Sequence, residues 1–268
     1  MGRDCCSIFI EVDEINSLTS FFQVFNFDQV ESTSNEAIRL AKQGRPEGLL
    51  VNANSQSKGR GRLGKKWVSQ IGNLYCSLIL RPEIQISKAT ELSFVSSLAL
   101  REVVLSLIEE QKEVVLKWPN DILVSNKKIG GILLESQTKK NSNYVEWIVV
   151  GFGLNLISIP KNIKNVTCIA HENIQLHNVN KSNIIKLLSL NFEKFYSSWK
   201  INGFKKIINE WKEYTFPIGT TIQFDLNGSK VIGKFVRLFD DGSLSVHING
   251  TGNKIITSGE VNIVSTIK

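Results

Sequence analysis

The segment Gln56-Ser57-Lys58-Gly59-Arg60-Gly61-Arg62-Leu63-Gly64-Lys65-Lys66-Trp67 lies between two short apolar runs, Leu49–Ala53 and Leu74–Leu80. The flanking runs read as buried strands, so the fold must present a cationic, glycine-rich loop at one end of a sheet. Glycine lets a backbone approach a ligand closely and adopt conformations barred to other residues. Successive backbone N–H groups and guanidinium forks suit phosphate or carboxylate oxygens, and Trp67 offers a flat face for a base. Gly59, Gly61 and Gly64 literally satisfy G-x-G-x-x-G. A dinucleotide fingerprint, however, needs small neighbours and a following helix. Here the neighbours are Arg60, Arg62, Lys65 and Lys66, and no helical pattern follows. A plain basic surface loop would explain the charge but not the glycine spacing or the tryptophan.

Upstream, Thr33-Ser34-Asn35-Glu36 has the form of a capping box, followed by Ala37, Ile38, Leu40 and Ala41 and closed by Gly44, which predicts a short helix. Downstream, Leu92, Val95, Ala99 and Val103 predict a helix with one buried face within Ser87–Glu110. Val114–Trp118, Ile129–Glu135 and Tyr144–Val150 read as further strands, and Lys181–Tyr214 as a helical region broken near Asn202-Gly203. After Phe216-Pro217 the character changes. Asn227-Gly228, Asp241-Gly242 and Asn249-Gly250 separate short apolar runs and mark hairpin turns. About five short strands there predict a small β-barrel. The expected domains are residues 1–215 and residues 216–268, the first an α+β layer of mixed sheet and helices rather than a strict βαβ repeat.

The chain has 268 residues, of which 42% are hydrophobic, enough for a sizeable core and against global disorder. No apolar run reaches the roughly 18 residues of a membrane span. The first residues, Met1-Gly2-Arg3-Asp4-Cys5-Cys6, lack the pattern of a signal peptide, so a cytoplasmic protein is expected. Cys5, Cys6, Cys76 and Cys168 form no C-x-x-C pair and suit reduced thiols. His171, His177 and His247 are too scattered for a zinc site. The net charge of +7 suits anionic partners, and equally suits lysine-rich solvated faces with no partner.

Two further stretches carry chemistry. Lys117-Trp118-Pro119-Asn120-Asp121 ends an apolar strand, and Pro119 forces a turn that can present Asn120 and Asp121 together; ordinary turn chemistry gives the same residues. Lys127-Lys128-Ile129-Gly130-Gly131 then enters a strand, and Gly151-Phe152-Gly153-Leu154-Asn155 repeats the theme. Paired strand glycines suggest a narrow pocket, with a β-bulge or tight sheet crossing as the alternative.

Glu31-Ser32-Thr33-Ser34, the Gly59–Trp67 loop, Lys117–Asp121, Lys128–Glu135 and Gly151–Asn155 together resemble, in that order, the motifs of the biotin–protein ligases. The resemblance implies a class II synthetase-like catalytic domain followed by an SH3-like barrel. It also implies ATP-dependent attachment of biotin to a lysine of a biotin carboxyl carrier protein or domain, through biotinyl-5'-AMP. Biotin and ATP would be the substrates, with Mg²⁺, whose ligands stay unassigned. Under the resemblance Ser32, Thr33, Ser34, Gln56, Arg60, Gly61, Arg62, Lys128, Gly131, Gly151 and Gly153 would bind biotin. Arg62, Lys65, Trp67, Lys117, Asn120 and Asn155 would serve ATP, and Lys128, Arg62 and Asp121 the chemistry. Asp121 would orient or deprotonate the acceptor lysine. Lys65 stands where the family often has arginine and Ser34 where it often has asparagine.

Some members carry an N-terminal helix-turn-helix domain, but the stretch before Ser32 shows no two-helix pattern, so a monofunctional ligase that binds neither DNA nor membrane is expected. A homodimer is compatible with the sequence. Two alternatives stay open: a lipoate–protein ligase of related fold, and a basic nucleic-acid-binding module. After Pro217 the terminal region has only Phe224, Phe235 and Phe239 as aromatics, a poor stacking platform for the latter.

Overall fold

The structure is a computed structural model that describes residues 21–173, 180–226 and 228–265. The expectations for Cys5, Cys6, the first residues, His177 and Asn227 lie outside the described residues. A seven-stranded sheet forms the centre. Its strands are β1 (Gln23–Val30), β2 (Leu49–Gln56), β3 (Leu74–Leu80), β4 (Val114–Lys117), β5 (Asp121–Val124), β6 (Lys127–Thr138) and β7 (Val145–Leu154). They run in the order β1-β2-β3-β7-β6-β5-β4, with β1 parallel to β2 and every other pair antiparallel. The mixed sheet agrees with the α+β expectation. β1 and β5 were not anticipated. β1 mixes polar and apolar residues without strict alternation, and β5 is only four residues long and starts at Asp121, the end of the expected turn.

Period-two alternation sends side chains to two cores. Leu50, Cys76, Leu78, Val150 and Phe152 face one, and Leu49, Val51, Ile79, Trp147 and Val149 the other. The helix α1 (Thr33–Lys42) covers the second face with Ala37, Leu40 and Ala41. On the first face lies α2 (Glu91–Leu105), and a single turn, α3 (Ile169–Glu172), follows β7. Two more helices, α4 (Lys181–Asn202) and α5 (Phe204–Glu213), then pack over α2. α2 is buried nearly all round, not on one face, because the sheet holds one side and α4 and α5 the other. Phe192 stacks on Tyr196 and Tyr196 on Trp199 along α4, with ring centroids 5.4 and 5.6 Å apart. The helical region breaks where expected, at Gly203, whose φ of 75° a side-chain-bearing residue rarely adopts.

The expected capping box does not form. Ser32 holds the N-cap position without a side-chain hydrogen bond, and Glu36 pairs with Arg39 instead. Thr33 and Ser34 turn their hydroxyls toward Ser77 on β3.

The last strands are β8 (Thr221–Leu226), β9 (Ser229–Leu238), β10 (Leu244–Ile248), β11 (Gly252–Ile256) and β12 (Val261–Ser265). They form an antiparallel sheet in the order β11-β10-β9-β8-β12. The strand count matches expectation, but among the described residues the sheet is open, with β11 and β12 as its edges, rather than closed into a barrel. Trp118 locks it to the seven-stranded sheet. The indole is buried, and its Nε1–H donates to Gly242 O at 2.9 Å. Burial of such a side chain is worth on the order of 2–3 kcal/mol. No described helix is long and apolar enough to cross a membrane.

Candidate functional site

The glycine-rich loop folds back on itself between β2 and β3. Gly61 N–H donates to Lys65 O at 2.7 Å, and Trp67 N–H to Gly59 O at 2.9 Å. A side chain at Gly59 would put its Cβ 2.3 Å from Trp67 O and 2.5 Å from Ser69 Oγ, so this crossing admits glycine alone. The turn at the tip leaves Leu63 at φ 53° and 73% exposed, while Arg62 and the more exposed Lys65 on either side border the cavity below.

Beneath this loop is a cavity of about 230 Å³. One end is polar and belongs to the α1 N-terminus: Ser32, Thr33, Ser34 and Gln56 line it. Gln56 Oε1 accepts from the Thr33 backbone N–H at 2.8 Å, and its Nε2–H donates to Ser69 Oγ at 2.8 Å. Thr33 Oγ1 lies 2.8 Å from Ser77 Oγ. The floor is made by Gly131, Gly151 and Gly153 of β6 and β7. The Trp67 indole lies on Gly153, where a Cβ would meet its Cε2 at 2.6 Å.

Charge gathers at the other end. Lys128 Nζ lies 5.3 Å from the Trp67 ring centroid and 2.5 Å from Asp121 Oδ1. Asp121 Oδ2 takes Lys117 Nζ at 2.8 Å. Burial pushes the Asp121 carboxyl up, but the ammonium groups of Lys128 and Lys117 outweigh it and hold the acid below the usual carboxylate range. Arg62 Nη1–H donates to Asn120 Oδ1 and to Gly259 O, each at 3.1 Å. Its own pKa falls with burial, opposed by Glu260 and Asp121. Lys65 pairs with Glu260, and Arg60 with Glu135 at 2.5 Å. Asn155 Nδ2–H donates to Thr167 O at 3.0 Å.

Comparison with known proteins places this geometry. The model of the biotin/lipoate A/B protein ligase family matches residues 26–155. The bifunctional ligase/repressor BirA of Bacillus subtilis is 32% identical over 241 residues, covering 88% of this chain and 72% of that protein. The chain belongs to the biotin/lipoate A/B protein ligase family. A biotin--[acetyl-CoA-carboxylase] ligase of Paracoccus denitrificans is 30% identical, with 87% of this chain and 97% of that one covered. Among solved structures, a biotin protein ligase from Aquifex aeolicus in complex with biotin and ATP superposes with a TM-score of 0.74. That structure is 27% identical, and the match covers 91% of this chain and 99% of that one. The mixed sheet with its helices is thus the class II synthetase-like fold of this ligase family.

Most residues expected to bind ligand in a family member line the one cavity: Ser32, Thr33, Ser34, Gln56, Arg60, Gly61, Arg62, Lys65, Trp67, Asn120, Lys128, Gly131, Gly151, Gly153 and Asn155. Lys117 and Asp121 do not. They face each other as a cross-strand pair of the β4–β5 hairpin, and Lys117 Nζ–H donates to Val261 O at 3.0 Å instead of reaching the cavity. Sequence reading missed Tyr75 and Cys76, whose apolar strand read as plain core, and Glu260, which arrives from the terminal sheet. The Cys76 thiol is pushed up to about 12 by burial, which suits a wall and not a nucleophile.

Proposed function

We propose that this chain is an ATP-dependent biotin–protein ligase that forms biotinyl-5'-AMP and passes the biotinyl group to a lysine of a biotin carboxyl carrier protein or domain. The observation that carries this reading is one cavity with hydroxyl and amide groups at one end and Lys128, Arg62, Trp67 and Asn155 at the other. The relatives named for biotin ligation and the Aquifex aeolicus complex with biotin and ATP support it.

Biotin's ring would lie among Ser32, Thr33, Ser34 and Gln56 over Gly151, with its carboxylate at Lys128 under Arg60 and Gly61. Adenine would stack on Trp67, with Asn120, Asn155 and Lys65 along the nucleotide. Two anions must meet, and the cations of the loop and Lys128 lower their repulsion in a site shielded from water. Alignment in one pocket can contribute roughly 7–11 kcal/mol to such a step. A carboxylate oxygen attacks the α-phosphorus and pyrophosphate leaves. The acceptor amine then attacks the carbonyl, and AMP departs as the amine loses its proton. Asp121, ion-paired on both oxygens, is a weak base; it would orient Lys128.

Mg²⁺ would come with the triphosphate and supply charge neutralisation there. The described residues assemble no group of three or more His, Cys, Asp or Glu side chains, which suits an ion held mostly by phosphate and water, and Glu260 is the carboxylate on the cavity wall. Residues 216–268 would form the small terminal domain, an SH3-like unit whose Gly259 and Glu260 latch the loop. Localisation in the cytoplasm and a homodimer complete the reading.

The test is transfer of labelled biotin, in competition with lipoate, to a purified carrier domain in the presence of Mg-ATP. Biotin should label the acceptor lysine and lipoate should not. Labelling by lipoate alone would assign the chain to the family's lipoate branch.

A further inference from the structure

The segment 165–169 is stitched to both walls of the nucleotide end. Lys128 N–H donates to Asn165 O at 2.8 Å, and Thr167 N–H returns to Lys128 O at 2.9 Å. On the other side Thr167 O accepts the Asn155 Nδ2–H at 3.0 Å, and Ile169 N–H donates to Asn155 O at 3.1 Å. One buried residue therefore touches the peptide of Lys128 on β6 and the side chain of Asn155 at the end of β7. Its hydroxyl is anchored in turn: Thr167 Oγ1–H donates to Glu172 Oε1 at 2.5 Å, and Lys112 Nζ–H donates to Glu172 Oε2 at 3.1 Å. Neither Thr167 nor Glu172 lines the cavity, yet both are buried, and a buried carboxylate is kept only where its oxygens are satisfied.

We propose that Thr167 and Glu172 are positioning residues, a strut that fixes Asn155 relative to Lys128 and so sets how tightly the nucleotide half of the adenylate is held. The proposal rests on the ligase reading for its kinetic consequence. The Lys128 ammonium has its own ion pair with Asp121, whereas the Asn155 side-chain amide is held by the Thr167 carbonyl, whose place is set by the hydroxyl bond to Glu172. Loss of the strut should therefore act on ATP before biotin.

The experiment compares Thr167→Val, which keeps shape and loses the hydroxyl, with Thr167→Ser, which restores it, and with Glu172→Gln as a second cut. For Thr167→Val and Glu172→Gln, KM for ATP should rise about tenfold, the size of one lost hydrogen bond in a charged network, and KM for biotin should change less than about twofold. Thr167→Ser should return KM for ATP to within about twofold of the parent. A merely structural role predicts a lower Tm with both KM values unchanged, and that result would overturn the proposal. A readout free of turnover is the pair of Asn155 side-chain amide resonances in the ligand-free protein. They should shift in Thr167→Val and return in Thr167→Ser. If the parent forms no biotinyl-AMP, the ligase reading fails, and these resonances still decide the strut: unchanged positions in Thr167→Val would refute it.

Discussion

Asp121 and Lys128 form an ion pair at 2.5 Å between the neighbouring strands β5 and β6. Lys117 closes the same carboxylate from the other side at 2.8 Å. The single negative charge of Asp121 thus holds two cations next to a cavity proposed to take two anions.

Asp121→Asn should leave both ammonium groups without their partner. Removing one member of a buried pair costs about 3–5 kcal/mol, and the same order is expected in urea unfolding at neutral pH, with a large loss of adenylation. The pH dependence has a defined sign. Asp121 is held below its ordinary value, so its contribution is present above the unfolded-state pKa of about 3.9 and fades as pH falls through the lower folded value. The stability gap between parent and Asp121→Asn should be full at neutral pH and narrow below about pH 4. A gap that widens with acid would contradict the assignment.

Lys128→Ala should reduce the rate of adenylate formation by at least about a hundredfold, since a charge-assisted contact in a shielded site is worth about 3 kcal/mol or more. Single-turnover kinetics with saturating biotin and ATP check it. A normal rate would remove Lys128 from the chemistry.

Arg62→Ala should act later. Arg62 bridges the loop to Asn120 Oδ1 and Gly259 O, joining it to both sheets. Loss of two charge-assisted bonds of about 1.5 kcal/mol each predicts biotinyl-AMP escaping on the order of a hundredfold faster. A chase with unlabelled biotin measures the release rate, and an unchanged rate would count against the loop as a lid.

Gly153→Ala and Gly151→Ala separate the two ends of the cavity. The first would drive a Cβ to 2.6 Å from the Trp67 ring, and the second to 2.9 Å from Ser34 Oγ. Gly153→Ala should raise KM for ATP about tenfold and perturb tryptophan fluorescence, while Gly151→Ala should chiefly weaken biotin binding in calorimetry. The reverse pattern would exchange the proposed sites.

Much of this arrangement is legible in local sequence because its causes are local. The break between α4 and α5 follows from Gly203, and the hairpins of the terminal sheet from glycines that take positive φ. The glycine-rich loop, Lys128 and the glycines of β6 and β7 announce a pocket because strand glycines need a reason. What stayed hidden depends on pairing at long range. Glu260 and Gly259 reach the loop from a sheet almost 200 residues away, with no signal in the residues themselves. Lys117 lies within a recognisable motif, yet it faces Asp121 across a hairpin whose second strand does not read as one. The capping box failed because Thr33 and Ser34 have partners on β3 that outcompete the helix end.

The most direct measurement is mass spectrometry of the purified protein after incubation with biotin and Mg-ATP. The account predicts one equivalent of biotinyl-5'-AMP retained per chain, formed with release of pyrophosphate and absent when either substrate is withheld. Folded protein that binds neither biotin nor ATP and yields no adenylate would contradict it.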